Sequence, residues 1–298
     1  MIGQDFPVRR RAVLTEAVLT FPGGYPPLSY LGDAVSDETA AISGVRTVKS
    51  ADRALQLLEY LIQSPEPRTL KEVTEALQIP RASTYALLVT LQRRGWVDAN
   101  DNRFSLGLRS LQAAVTAIDL DPTVRRTEQV RQRLNADLKE TVHLARLDGA
   151  DVVYIQSFTA PDRPSALTRP GRRLPAYACA LGKALLATRE WDEVDAALPQ
   201  ELAPVTSRTI TSRPQLRSEL EQIARDGYAK EVEENTLGLT CYAIAVPATP
   251  RPSYAISCSM PLDALEQEHH ALVRDRLLQA AQRLAADVDP HPSYRAPA

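Results

Sequence analysis

Polar chemistry gathers at two places in this chain. The first is Ile79-Pro80-Arg81-Ala82-Ser83-Thr84-Tyr85, where a proline-broken turn delivers an arginine, two hydroxyls and a phenol to the start of a helix. Such side chains meet base edges and phosphates when a helix N-terminus enters the DNA major groove. Arg81 suits a guanine edge or a phosphate, and Ser83 and Thr84 suit a phosphate or a base. Thr84 is expected to face DNA, while Ser83 as a helix cap and Tyr85 as a core residue are competing assignments. Arg93 and Arg94 end the same helix, where they serve either DNA or the helix dipole. Lys71 and Arg103 are candidate phosphate clamps, with a solvated surface charge as the plain alternative for each.

The second place is C-terminal. Ala178, Cys179, Ala180 and Gly182 put small residues at a helix start, where backbone N–H groups can approach an anion such as a carboxylate. Alternation puts Glu231 and Glu233 on one strand face, and Ser257 and Ser259 on another with Cys258 turned away. The glutamates suit orienting a ligand or binding a cation. Polar groups set among apolar ones suit a pocket for a small polar ligand. A buried cysteine otherwise behaves as a small hydrophobe, which is the reading for Cys258. His143 and the cysteines lack metal-ligand spacing, and no cofactor is called for. His269-His270 falls on a long helix and reads as surface. No G-x-S-x-G, Walker A, HExxH or GxGxxG stands in the chain, and Ser257 and Ser259 have no evident histidine partner, so an enzyme is not expected.

Those residues need two domains to hold them, and 298 residues suffice, with 44% hydrophobic and 24% charged content typical of globular chains. The net charge of −2 hides a basic excess in residues 45–107, with nine Lys/Arg against seven Asp/Glu. Three dispersed cysteines without a CxxC pair fit a reducing compartment. No apolar run reaches membrane-spanning length. Arg9-Arg10-Arg11 is followed by a run that Thr15 and Glu16 interrupt, so no secretory signal is read and a cytoplasmic protein is expected.

Residues 1–44, broken by Pro22-Gly23-Gly24 and Pro26-Pro27, read as a mostly disordered extension. From Val48 a helix with Ser50 as N-cap repeats Ala54, Leu57, Leu58 and Leu61 on one face. Thr69 and Glu72 form a capping-box pattern that opens a second helix. A third runs from about 82 to 94 and closes at Gly95, and two short strands follow around Ala99-Asn100-Asp101-Asn102. That order is a winged helix-turn-helix over 45–107. A linker helix over 108–122 is the natural place to dimerise. Residues 123–288 then read as an α+β domain. Its opening helix reaches about residue 140, and a hairpin turns at Asp148-Gly149. Further strands are expected near 166–168, 228–233, 242–246 and 254–259, and helices near 180–188, 191–197, 214–226 and 263–287. Residues 289–298 form a frayed tail.

From Val45 to Ala286 these segments together resemble the IclR family of bacterial regulators. The resemblance is carried by Ala51-Asp52-Arg53-Ala54, Ile79-Pro80-Arg81-Ala82-Ser83-Thr84 and Arg94-Gly95-Trp96-Val97. In the second half it is carried by Gly182-Lys183-Ala184-Leu185-Leu186-Ala187, Asp226-Gly227-Tyr228-Ala229, Gly238-Leu239-Thr240-Cys241 and Ala255-Ile256-Ser257-Cys258-Ser259. It implies a winged helix-turn-helix followed by a GAF-like α+β effector-binding domain, with Cys241, Ser257 and Ser259 lining one pocket. It implies a double-stranded DNA operator and a small-molecule effector, a carboxylate or an aromatic, bound by a homodimer or homotetramer. Ala86 stands where the family usually carries arginine. The segment between Gly238 and Pro247 is about two residues longer than the common form, which leaves its strand register open. A ligand-binding module whose winged domain contacts protein is the alternative.

Overall fold

The computed structural model describes residues 47–162, 169–262 and 267–287. The expected disordered extension, the strand near 166–168 and the tail lie outside the described residues.

The N-terminal part contains α1 (Lys49–Gln63), β1 (Arg68–Thr69), α2 (Leu70–Leu77), α3 (Arg81–Arg93), β2 (Val97–Asn100) and β3 (Arg103–Leu106). Helix α1 starts one residue before Ser50, with Val48 at its N-cap and no side-chain cap, so the expected Ser50 cap is not formed. The Thr69–Glu72 capping box does form: the Thr69 N–H donates to Glu72 Oε2 at 2.7 Å, and the Glu72 N–H donates to Thr69 Oγ1 at 3.3 Å. Leu57, Leu61, Val73, Leu88, Val97 and Phe104 close a small core, so three helices and the hairpin each bury one apolar edge. The hairpin turns through Asp101 and Asn102, both at positive φ (48° and 59°), which suits a tight turn between right-twisted strands. Strand β1 adds to the far side of β3, an element too short to show a period.

Helix α4 (Leu108–Leu120) buries no residue of its own. Asp121 ends it and caps α5 (Pro122–Leu138), accepting from the Thr123 and Val124 N–H groups at 2.8 and 3.1 Å. There follow β4 (Thr141–Asp148), β5 (Asp151–Phe158), β6 (Arg173–Pro175), α6 (Ala180–Leu186), α7 (Trp191–Ala197), α8 (Arg213–Asp226), β7 (Ala229–Val232), β8 (Leu239–Ala245), β9 (Tyr254–Pro261) and α9 (Gln267–Ala286). The six strands pair antiparallel in the order β6-β5-β4-β9-β8-β7. Helices α5 and α9 cover one face through Leu134, Leu138, Val273 and Leu277. Helices α6, α7 and α8 cover the other, over Ala145, Ala243 and Ala255. The small alanines on that second face leave room beneath α6. The register that sequence left open pairs Cys241 with Ser259 and Ala243 with Ser257.

Candidate functional site

Helix α3 stands exposed at its N-terminal end, but not with the residues expected. Thr84 is 0% exposed, and its hydroxyl donates to the Ile79 and Pro80 carbonyls at 3.3 and 3.4 Å. Tyr85, next along, is 56% exposed. The expected DNA-facing threonine is therefore a core residue, and the candidate core tyrosine faces solvent. Pro80 is the N-cap and Ser83 makes no capping bond, so the capping reading of Ser83 fails as well. Arg81, Arg93 and Arg94 are exposed. Lys71 lies 3.7 Å from Glu75, one turn on, a contact worth little at the surface. Arg103 donates to the Pro67 carbonyl at 3.0 Å, which ties the wing to the α1–α2 connection.

The second site is a cavity of about 30 Å3 between α6 and the sheet. Cys179, Ala180, Glu231, Cys241, Ser257 and Ser259 all line it. Ala178 and Gly182 are buried beside it without lining it. A Cβ on Gly182 would sit 2.2 Å from the Ala176 carbonyl oxygen, so this glycine allows close backbone packing and does not serve anion approach. Glu233 corrects a second expectation. Strand β7 stops at Val232, Glu233 turns to a positive φ of 59°, and its carboxylate accepts the Gly238 N–H at 2.9 Å. It shares no face with Glu231.

Three further walls have no counterpart in the sequence reading: His143 and Tyr154 from β4 and β5, and Arg172 just before β6. His143 pairs with Ser257 in register, the signal that strand pairing would have supplied. Its Nδ1 lies 2.8 Å from the Ser157 hydroxyl, and its ring meets Tyr154 edge-on at 5.0 Å. The Arg172 guanidinium lies over the Tyr154 ring at 6.0 Å. Asn235 and Thr236 complete the polar lining.

Burial sets the electrostatics. Desolvation, followed by the Arg172 charge, pushes His143 down to about 3 and keeps it neutral. Desolvation pushes Glu231 up to about 7, although the neighbouring Cys241 thiol and the Glu234 N–H, which donates to its carboxylate at 2.9 Å, both act to lower it. The same burial raises Cys179 to about 12 and Cys241 well above an ordinary thiol, so neither is a ready nucleophile. Cys258 sits on the opposite sheet face among the α5 and α9 side chains, as alternation requires.

One charged residue near the cavity is wholly buried. Lys183 on α6 places its ammonium 2.6 Å from Glu219 on α8 and 2.6 and 2.7 Å from the two Glu234 oxygens. It anchors the residue whose N–H holds Glu231 at 2.9 Å. Among the described residues no cluster of His, Cys, Asp or Glu is arranged to hold a metal, and no helix is long and apolar enough to cross a membrane.

Known proteins share this architecture. The family model described as the IclR helix-turn-helix domain matches residues 50–101, and that described as bacterial transcriptional regulator IclR C-terminal matches 113–286. The chain is 29% identical over 242 residues to the HTH-type transcriptional regulator XynR of Escherichia coli, covering 80% of this chain and 96% of that one. It is 31% identical to KdgR of the same organism, covering 74% and 86%. A solved IclR homolog from Microbacterium hydrocarbonoxydans, in complex with 4-hydroxybenzoate, superimposes with a TM-score of 0.68 at 20% identity over 80% of this chain and 98% of that one. The relatives are regulators of transcription rather than enzymes. On these matches and this fold, the chain belongs to the IclR family of bacterial transcriptional regulators, with a helix-turn-helix DNA-binding domain ahead of the IclR C-terminal domain.

Proposed function

We propose that this regulator binds its operator as a homodimer, and that a small carboxylate seated between α6 and the sheet controls that binding. The cavity carries the proposal. It brings one guanidinium, Arg172, together with the protonatable Glu231 and the hydroxyls of Ser257 and Ser259, beside the apolar Leu174, Leu181 and Leu239. A carboxylate beside Arg172 and a protonated Glu231 meets attraction without repulsion. The Microbacterium protein's 4-hydroxybenzoate belongs to the same chemical class.

The cavity's 30 Å3 is far below the roughly 150 Å3 of a benzene-sized cavity. An effector therefore enters only if α6 and the sheet move apart, and that differential fit lets it bias one conformation over another. On the DNA side, Arg81 and Tyr85 open α3, Arg93 and Arg94 close it, and Arg103 lies on the wing. Self-association is favoured by apolar residues left in solvent. On α4 these are Leu108, Leu111 and Val115, at spacings of three and four, and on α1 they are Leu55 and Ile62, seven apart.

The test is fluorescence anisotropy with DNA from upstream of the protein's own gene, across a salt series, with random DNA as control. The expected result is tighter binding to the upstream fragment that weakens steeply with salt and shifts when small aromatic or aliphatic carboxylates are added. Equal binding to both DNAs would favour a protein-contacting winged domain.

A further inference from the structure

The outer face of α3 is chemically narrower than its sequence suggests. Residues 82, 85, 86, 89 and 93 follow helical spacing, and of these Ala82, Tyr85, Ala86 and Arg93 are exposed. Of its three aliphatic hydroxyls, Thr84 is buried against Ile79 and Pro80, Thr90 donates to the Ala86 carbonyl at 2.7 Å, and Ser83 is half-buried. The helix, RASTYALLVTLQR, carries no carboxylate and no amide before Gln92. It therefore offers no carboxylate to accept from a cytosine amino group and, in its first two turns, no bidentate amide partner for adenine. What faces outward there is a guanidinium at Arg81, the methyl groups of Ala82 and Ala86, and a phenol ring that is 56% exposed.

Cations stand at both ends of this apolar face, Arg81 at one and Arg93 and Arg94 at the other, so a polyanion is its complement. Within the major groove of a duplex, the apolar feature is the C5-methyl group of thymine. We propose that Ala82, Tyr85 and Ala86 read thymine methyl groups, so that each operator half-site carries adjacent T·A pairs under the first two turns of α3. The proposal rests on α3 being the reading helix and goes further by naming the bases it reads. The two alanines let the helix backbone approach the methyl groups closely. The Tyr85 ring packs against a methyl group, and its hydroxyl is left to reach a phosphate.

The experiment begins with selection of preferred sites by the full-length protein from a pool of random duplexes. The expected sites carry two or more neighbouring thymines per half-site. Each thymine is then replaced by deoxyuridine, which removes the methyl group alone. Affinity is expected to fall about 3- to 5-fold at each contacted position, the factor that one buried methyl group supplies. Tyr85→Ala is expected to abolish the thymine-over-uracil preference at its own position while keeping the melting temperature and the salt slope. Selected sites with G·C at those positions, or a pool that yields no preferred site, would overturn the proposal. So would deoxyuridine that is neutral everywhere while Tyr85→Ala still weakens binding, although α3 would then remain the reading helix. If Arg81→Ala and Tyr85→Ala both leave operator affinity intact, the reading helix itself is wrongly assigned.

Discussion

Two adjacent residues of α3 exchange the roles that their side chains suggest. Successive helical positions point about 100° apart, so Thr84 and Tyr85 cannot both face the groove. Packing of α3 on α2 decides the matter, and it turns the threonine inward, where the Ile79 and Pro80 carbonyls accept its hydroxyl. That decision belongs to tertiary structure, which two polar residues in sequence do not reveal. Thr84→Val keeps the shape and loses the hydrogen bonds, so it is expected to cost about 1 kcal/mol of stability with little effect on operator affinity once folded. Tyr85→Ala is expected to do the reverse, and thermal melts beside anisotropy titrations separate the two. Glu231 makes a pH prediction at the same scale. Its pKa is raised, from 4.5 to about 7 and chiefly by burial, so its stabilising effect is full below about pH 4.5 and is lost as pH rises through 7. Between pH 5 and 8 the wild type is expected to lose on the order of 2 kcal/mol relative to Glu231→Gln, read from denaturant midpoints. His143 acts in the opposite sense, since a depressed pKa makes acid destabilising, but it is present in both proteins and cancels in the difference.

Helix α6 shows how an element holds the pocket's chemistry in place. Gly182 rests against the Ala176 backbone, which cannot swing away as a side chain could. Gly182→Ala is therefore expected to cost 2 kcal/mol or more, by roughly the measure of overpacked cores, and to weaken effector binding by lifting the helix off the sheet; a melting curve and a calorimetric titration check both parts. Lys183 lies one residue on and bridges the Glu219 and Glu234 carboxylates. Lys183→Met leaves two carboxylates facing each other and is expected to destabilise by about 3–5 kcal/mol at neutral pH, measured by chemical denaturation. Elements with a repeating pattern were readable beforehand, and those without one were not. The amphipathic α1, the Thr69–Glu72 box and the Asp148-Gly149 hairpin each carry a local signal. The short strands β1 and β6 have no room for a period. Alternation found Ser257, Ser259 and Glu231, because each sits inside a strand. It failed at Glu233 because the pattern continues on paper while the backbone turns left-handed. His143 and Tyr154 were missed because strand register brings them to the pocket, and register is a long-range property; Arg172 was missed because it lies in the connection before β6, where its carbonyl accepts the Tyr154 N–H.

At the scale of the molecule, affinity depends on whether two winged domains act together. One such domain meets few phosphates and binds weakly, whereas two held at a fixed spacing gain the effective concentration of a tethered second site. In the proposed dimer α4 is suited to hold them: Leu108, Leu111 and Val115 are 74%, 60% and 47% exposed, and no residue of the helix is fully buried, Ile118 alone packing partly against the sheet domain. Apolar side chains spaced along one helix face in this way are costly to leave in water and inexpensive to pair with a second copy. Leu111→Glu places a charge in the middle of that stripe. Because the position is already in solvent, the variant's melting behaviour as a monomer is expected to stay within about 0.5 kcal/mol of the parent fold. Sedimentation velocity is expected to show monomers in place of dimers. Affinity for an operator with two half-sites should fall at least about 100-fold, while affinity for an isolated half-site stays the same, since no DNA-facing residue has changed. A variant that remains dimeric would move the interface off α4. A variant that is monomeric yet binds both half-sites as tightly as before would show that each winged domain carries its operator affinity alone.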